Sequence, residues 1–512
     1  MTKFITTAID YTNAAPHIGH AYEKILADVI ARYHRLCGED VFFLTGVDQH
    51  GQKVQQSAQK EGVPPGDFAL RVTEDFVALW EKLDISYDGW AATTDPLHKK
   101  CVQEILQRLF DEGRIYKAAH AGHYSVRQEQ FLTDKERGPD GEFGPEWGEV
   151  VTIEEENYYY RLAEHREWLL ELLDKRPELV VPSFRLTELR NAVEKLSGDL
   201  CISRPKERLA WGIEMPFDPE YVTYVWFDAL INYISFAGYL SDDAAFEKRW
   251  PVLAHVIGKD ILIPAHGVYW PIMLHGLGFT DEQMPPLLVH GYINLGGSKI
   301  SKSLGNTVDP TELVAKYSAG TLRYYLMRDA ATGYDMDFSE ERLLTRHNAD
   351  LANGLGNLLN RSLNMARRYR EGKLKKVTDG ALVTEAAEAV TKWQAAMDSF
   401  AIHSALEAVW NFVARCNAYV EESAPWKMAK DEALAQELDG VLYRLSESLR
   451  IIAILISPVL PEASRQILLQ LNVTGEVTLK DAAWGGLPDG HQLGEPVPVF
   501  PRIEAPAADA EK

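Results

Sequence analysis

At 512 residues, 46% of them hydrophobic, the chain can bury several cores and is expected to form two or three domains. A formal net charge of −22 excludes a broadly basic nucleic-acid coat, although one local basic stripe can still serve. Four cysteines far apart in sequence (Cys37, Cys101, Cys201, Cys416) make no disulfide framework, so a reduced, cytoplasmic compartment is expected.

The opening MTKFITTAIDYTN is too short and polar for a signal peptide. Within it, residues 4–9 are β-branched and aromatic enough to form a buried strand. A loop with Asn13 and Pro16 leads into a helix over 19–37, where Ile18, Tyr22, Ile25, Leu26, Val29, Ile30 and Tyr33 recur at helical spacing. Residues 41–46 read as a second buried strand, and strand–loop–helix–strand begins a parallel α/β sheet. From about 114 to 160, turn-rich stretches such as Gly138-Pro139-Asp140-Gly141 precede Asn157-Tyr158-Tyr159-Tyr160, which suggests an inserted, irregular β module. Parallel-sheet patterns return over 222–227, 253–258 and 287–290. Beyond about 345 the pattern is helical. Leu351, Leu355, Leu358, Leu359 and Leu363 mark one helix, and others cover 383–398, 400–422, 433–455 and 462–471, making a bundle. The longest apolar run, 451–460, is far short of the roughly 20 residues that cross a bilayer. Residues 505–512 are small and charged, and disorder is expected there.

His17-Ile18-Gly19-His20 falls where the first strand gives way to the first helix. Such a helix start offers N–H groups and a positive dipole end to a polyphosphate. Two imidazoles three residues apart can both donate to phosphate oxygens, and Gly19 leaves room for a purine against the backbone. Alone, this string is as often a pair of surface histidines. The second motif shifts that balance: Lys299-Ile300-Ser301-Lys302-Ser303, preceded by Gly296-Gly297 and followed by Gly305. A glycine-flanked loop can swing two ammonium groups onto a leaving pyrophosphate.

Together the two motifs resemble the paired ATP-binding signatures of class I aminoacyl-tRNA synthetases, with Ile300 where methionine is usual. Further stretches are similar to those of methionyl-tRNA synthetases in particular. Thr45-Gly46-Val47-Asp48-Gln49-His50-Gly51 resembles a T-G-x-D-E-H-G stretch, with Gln49 replacing glutamate. Tyr224-Val225-Trp226-Phe227-Asp228-Ala229 resembles a strand of the amino-acid pocket, and Ile257-Gly258-Lys259-Asp260 the segment touching ribose. The stretch from Asp260 to His266 is one residue longer than in many relatives, so His266 is placed by the following Trp270-Pro271. Ala424-Pro425-Trp426-Lys427 is similar to the anticodon-reading corner.

The resemblance implies an α/β fold: a Rossmann-like parallel-sheet catalytic domain with an inserted connective module, followed by an all-α anticodon-binding bundle. The expected limits are 1–113 and 222–308 for the catalytic halves and 114–221 for the module. A stem-contact linker takes 309–348, the bundle 349–475 and a tail 476–512. The implied activity is methionine–tRNA ligation, in which methionine and ATP form an adenylate and the amino acid passes to tRNA(Met), for initiation and elongation. Carried over by motif, His17, His20, Lys299 and Lys302 are catalytic, and with Gly19, Gly258 and Asp260 they hold ATP. Asp48 binds the substrate ammonium. Ile9, Tyr11, Trp226, Ala229, Tyr233 and His266 wall the methionine side chain, whose polarizable sulfur suits aromatic neighbours. Asn357 and Arg361, four apart on one helix face, and Trp426 read the anticodon. Magnesium arrives with ATP. No structural zinc is expected, because residues 102–200 carry no cysteine, and His120 with His123 supplies half a site. The segment after the last helix is too short for the OB-fold through which some relatives dimerise, so a monomer is expected, with neither membrane nor DNA as partner. A nucleotidyltransferase of the same superfamily and a synthetase-like paralogue without catalysis stand as rivals. The helical third argues against the first, and intact His17, His20, Asp48, Lys299 and Lys302 against the second.

Overall fold

The computed structural model describes residues 2–125, 130–132, 137–138, 140–299 and 308–504. Ser301, Lys302 and the rest of 300–307, and the tail 505–512, lie outside the described residues. The architecture is α/β with a C-terminal helical domain.

At its centre is a parallel sheet of seven strands. Lys3–Thr7 pairs with Val41–Asp48 on one side and with Ala254–Gly258 on the other. Leu287–His290 follows, then Val180–Val181 at the edge. Asp10–Tyr11 and Gly89–Ala92 both pair with Val41–Asp48. These strands are nearly continuous apolar runs because helices cover both faces. The helix Ile18–Leu36 packs beneath Lys3–Thr7 and Val41–Asp48 and is buried along almost its whole length.

Two insertions interrupt the sheet. Ile115–Ser125 and Val150–Tyr160 form a long antiparallel pair, flanked by Gln130–Leu132 and Leu200–Cys201. Val180–Val181, from within the expected module, returns to the parallel sheet.

The expected parallel strand over 222–227 is corrected. Asp218–Thr223 is antiparallel in a separate three-stranded sheet with Ser203–Pro205 and Glu214–Met215. From Val225 to Ser235 the chain is a helix, started by the extended backbone of Tyr224. A helix buried on nearly every side carries no alternation that separates it from a buried strand.

The helices follow the expected order: Val383–Asp398, Ile402–Ser423, Ala435–Ile456 and Pro461–Gln470. The leucine-striped segment is helical from Glu340 to Arg370, but its middle, His347–Gly356, is a wider π-turn. After the last helix the chain straps back over the bundle. Glu447 accepts the backbone N–H groups of Gly485, Gly486 and Leu487. Among the described residues, no helix is long and apolar enough to cross a membrane.

Candidate active site

A cavity of about 400 Å³ opens at the C-terminal ends of the parallel strands, where open α/β sheets bind ligands. It is lined by His17, Gly19, His20, Gly258 and Asp260 together with Ile9, Tyr11, Asp48, Trp226, Ala229, Tyr233 and His266. The structure thus brings together every cavity residue expected from the sequence except the two lysines. Lys299 ends the strand Ser298–Lys299, which pairs with Ile293–Leu295 next to the cavity-lining Tyr292 and Ile293. Lys302 lies outside the described residues.

The histidine motif builds its own helix cap. His17 Nδ1 accepts the N–H of Gly19 and His20 Nδ1 that of His17, each at 3.1 Å. With both Nδ1 atoms accepting, the ring protons sit on Nε2. The two rings stack with centroids 3.8 Å apart. A Cβ at Gly19 would lie 2.9 Å from His17 Cε1, so a larger residue there would displace the His17 ring.

In the amino-acid half, His266 Nδ1 is 3.0 Å from the Ile261 carbonyl, so it carries the proton. Nε2 therefore accepts from the Tyr233 hydroxyl at 2.8 Å. Burial lowers the His266 pKa to about 4, so the ring is neutral near pH 7. Between Asp260 and Trp270 the chain passes through a widened turn, Leu262–Tyr269, with Ile263 extended. Asp48 Oδ1 accepts from His50 N and Thr93 Oγ1, each at 3.3 Å. Gly51, at φ 108°, lets Tyr11 close over the turn, since a Cβ there would lie 2.3 Å from Tyr11 Oη.

Behind this wall is a buried chain that sequence reasoning missed. Asp228 takes His50 Nδ1 at 2.7 Å and His98 Nε2 at 2.8 Å. It ties the Asp48 turn to the helix that carries Trp226 and Tyr233. The signal was present, because Asp228 and His50 both sit inside the quoted motifs. Asp10, Glu23, Lys53, His290 and Tyr292 also line the cavity and were missed.

A second, open hollow of about 590 Å³ lies on the helical domain and includes Asn357, Arg361, Trp410 and Asn417. Asn357 is exposed and starts the α-helix after the π-turn. Arg361 pairs with Glu421 at 2.7 Å, and its guanidinium lies 5.7 Å from the Trp426 ring centroid. Ala424, left-handed at φ 45°, and Pro425 turn the chain so that Trp426 reaches that face. Further along, three basic side chains are engaged within the protein: Arg367 pairs with Glu495, Arg370 with Asp439, and Lys376 donates to the Gly485 carbonyl.

No group of three or more potential metal ligands occurs among the described residues. His123 Nε2 lies 2.9 Å from the Arg137 guanidinium.

Residues 3–140 and 147–363 match the family described as tRNA synthetases class I (M), and residues 371–511 match the anticodon binding domain of methionyl tRNA ligase. A methionine–tRNA ligase of Deinococcus radiodurans is 42% identical over 521 residues, spanning 99% of this chain and 75% of that protein. One from Caldanaerobacter subterraneus is 40% identical over 511 residues, spanning 98% of this chain and 79% of that protein. Among solved structures, Mycobacterium tuberculosis methionyl-tRNA synthetase in complex with methionyl-adenylate superposes with a TM-score of 0.93 at 38% identity. That match covers 98% of this chain and 100% of the other. The chain belongs to the methionyl-tRNA synthetase family of class I aminoacyl-tRNA synthetases.

Proposed function

We propose that the cavity at the strand ends is where this chain activates methionine with ATP, before passing the amino acid to the 3′ end of tRNA(Met). The reading rests on one observation: a single cavity is lined both by the histidine motif with Gly258 and Asp260 and by Asp48 with several aromatic residues. The methionine carboxylate attacks the α-phosphorus in line. The bond to the leaving oxygen breaks, giving methionyl-adenylate and pyrophosphate. His17 and His20 present Nε2–H donors to the phosphates, while Lys299 and Lys302 take up charge on the pyrophosphate. Asp48 fixes the ammonium, and Tyr233 and Trp226 flank the thioether with Ile9, Tyr11, Ala229 and His266. Magnesium enters as the counter-ion of ATP. No residue is assigned as general base for the transfer step.

Asn357, Arg361 and Trp426 meet the anticodon, two by hydrogen bonds to base edges and one by stacking. The domain limits expected from the sequence are retained as this reading's division, with Val180–Val181 counted in the catalytic sheet. A monomer in the cytoplasm completes the reading. Pyrophosphate exchange across the twenty amino acids tests the reaction: exchange should depend on methionine. Exchange without any amino acid would favour a nucleotidyltransferase, and no exchange at all a paralogue without catalysis.

A further inference from the structure

Lys24 is fully buried beneath the cavity. Its ammonium donates to the Ala8 carbonyl at 2.9 Å, Asp10 Oδ1 at 2.7 Å and Glu23 Oε1 at 2.9 Å. Glu23 Oε2 lies 3.1 Å from His290 Nε2, and His290 Nδ1 is 2.8 Å from the Gly291 carbonyl. Asp10, Glu23 and His290 line the cavity; Lys24 does not. A polyanion placed here therefore faces two carboxylates, which repel it unless they are neutralised. Asp10 Oδ2 is buried without a hydrogen-bond partner, so Lys24 is its main support.

We propose that Lys24 is a positioning residue for ATP: from below it neutralises Asp10 and Glu23 and ties the 8–11 segment to the first turns of the histidine-motif helix. This rests on the reading that the cavity takes ATP. Lys24 touches no substrate atom. Burial pushes the Asp10 carboxyl up to about 7, against the pull of Lys24 and with Glu23 adding to the rise. Burial also acts to raise Glu23, but Lys24 and His290 outweigh it and hold that carboxyl below its usual range. Among the described residues, other titratable groups facing this cluster include Tyr22, edge-on to the His290 ring at 5.2 Å, and Tyr233 and His266 across the cavity. The Trp80 ring lies 5.8 Å from the ammonium on the far side.

The test is Lys24→Met, which keeps the length and removes the charge, with ATP and methionine KM measured by pyrophosphate exchange from about pH 6 to about pH 8.5. Without Lys24 the buried carboxyls ionise at higher pH than in the parent, so ATP KM should climb as pH rises, to about tenfold or more above the parent where they ionise, while methionine KM moves much less. Towards the lower end a proton replaces the lost charge and the ATP effect should shrink. The double variant Lys24→Met/Asp10→Asn should restore most of the ATP KM and flatten its pH dependence. A parallel, pH-independent rise in both KM values would mean a merely structural role and overturn the proposal, as would an unchanged ATP KM in Lys24→Met. If Lys24→Met does not fold, Asp10→Asn alone decides. It should flatten the parental pH dependence of ATP KM near neutrality, and an unaltered profile overturns the proposal. Absence of exchange in the parental enzyme would instead sink the ATP reading itself.

Discussion

The strand-end cavity and the hollow on the helical domain, proposed as the adenylation and anticodon sites, are built on opposite principles. The cavity draws side chains from segments hundreds of positions apart, and Tyr233, His266 and Asp228 are sealed from water. The hollow is set mainly by one helix face and its neighbour, with Asn357 exposed and Arg361 held by a single ion pair to an exposed glutamate. Around the cavity, Tyr233 with His266 and Asp228 with His50 and His98 satisfy one another, so losing one partner leaves another stranded at high cost. In the hollow, an exposed ion pair contributes little and is screened by salt, so its groups can leave each other for RNA. Substitution in the first region should therefore disturb chemistry and stability, and in the second RNA recognition alone.

The largest effect that would break or support this contrast is at Lys302. Lys302→Ala should slow adenylate formation by about 10²–10³-fold, the usual cost of losing one transition-state charge partner, with methionine binding nearly unchanged. Raised methionine KM with normal turnover, seen in single-turnover kinetics, would give the loop another role. Next is Asp48→Asn, which should raise methionine KM by about 10- to 100-fold and leave ATP KM near parental. That is the loss of one charge-assisted hydrogen bond worth about 1.5–3 kcal/mol. Steady-state exchange measures both constants, and an equal shift in the two would detach Asp48 from the ammonium.

The smallest effect concerns pH. His266 has a folded-state pKa of about 4, below its unfolded value, because burial disfavours the imidazolium; burial lowers His255 likewise. The His266 contribution to stability is thus present above about pH 6.5 and is lost as pH falls through about 4. Thermal midpoints should decline over that window, and less so in His266→Gln. A variant with the same decline as the parent would show that His266 is not one of the groups responsible.

The sheet and the bundle were legible because long apolar patterns and helical spacing survive in the sequence. Residues 287–290 and 383–398 match the observed strand and helix limits. What stayed hidden was burial without alternation. The helix Val225–Ser235 looks like a strand because nearly all its residues are inside. Lys24, Glu23 and Asp28 are charged positions of the first helix, yet all are buried, Asp28 against Arg323. Their partners lie on other elements, and a single sequence does not pair them. The cavity walls were found through motif resemblance, whereas Asp228 acts from behind a wall and only distances expose it.

The most direct test of the separation between the two regions is Trp426→Ala, measured in both halves of the reaction beside its thermal midpoint. Losing one stacked base costs roughly 1–3 kcal/mol, so tRNA charging should fall about 5- to 150-fold while ATP–pyrophosphate exchange stays at the parental rate and the midpoint barely moves. A variant that melts like the parent and charges tRNA at the parental rate would contradict the account, and would take from the helical hollow its role as the reader of the anticodon.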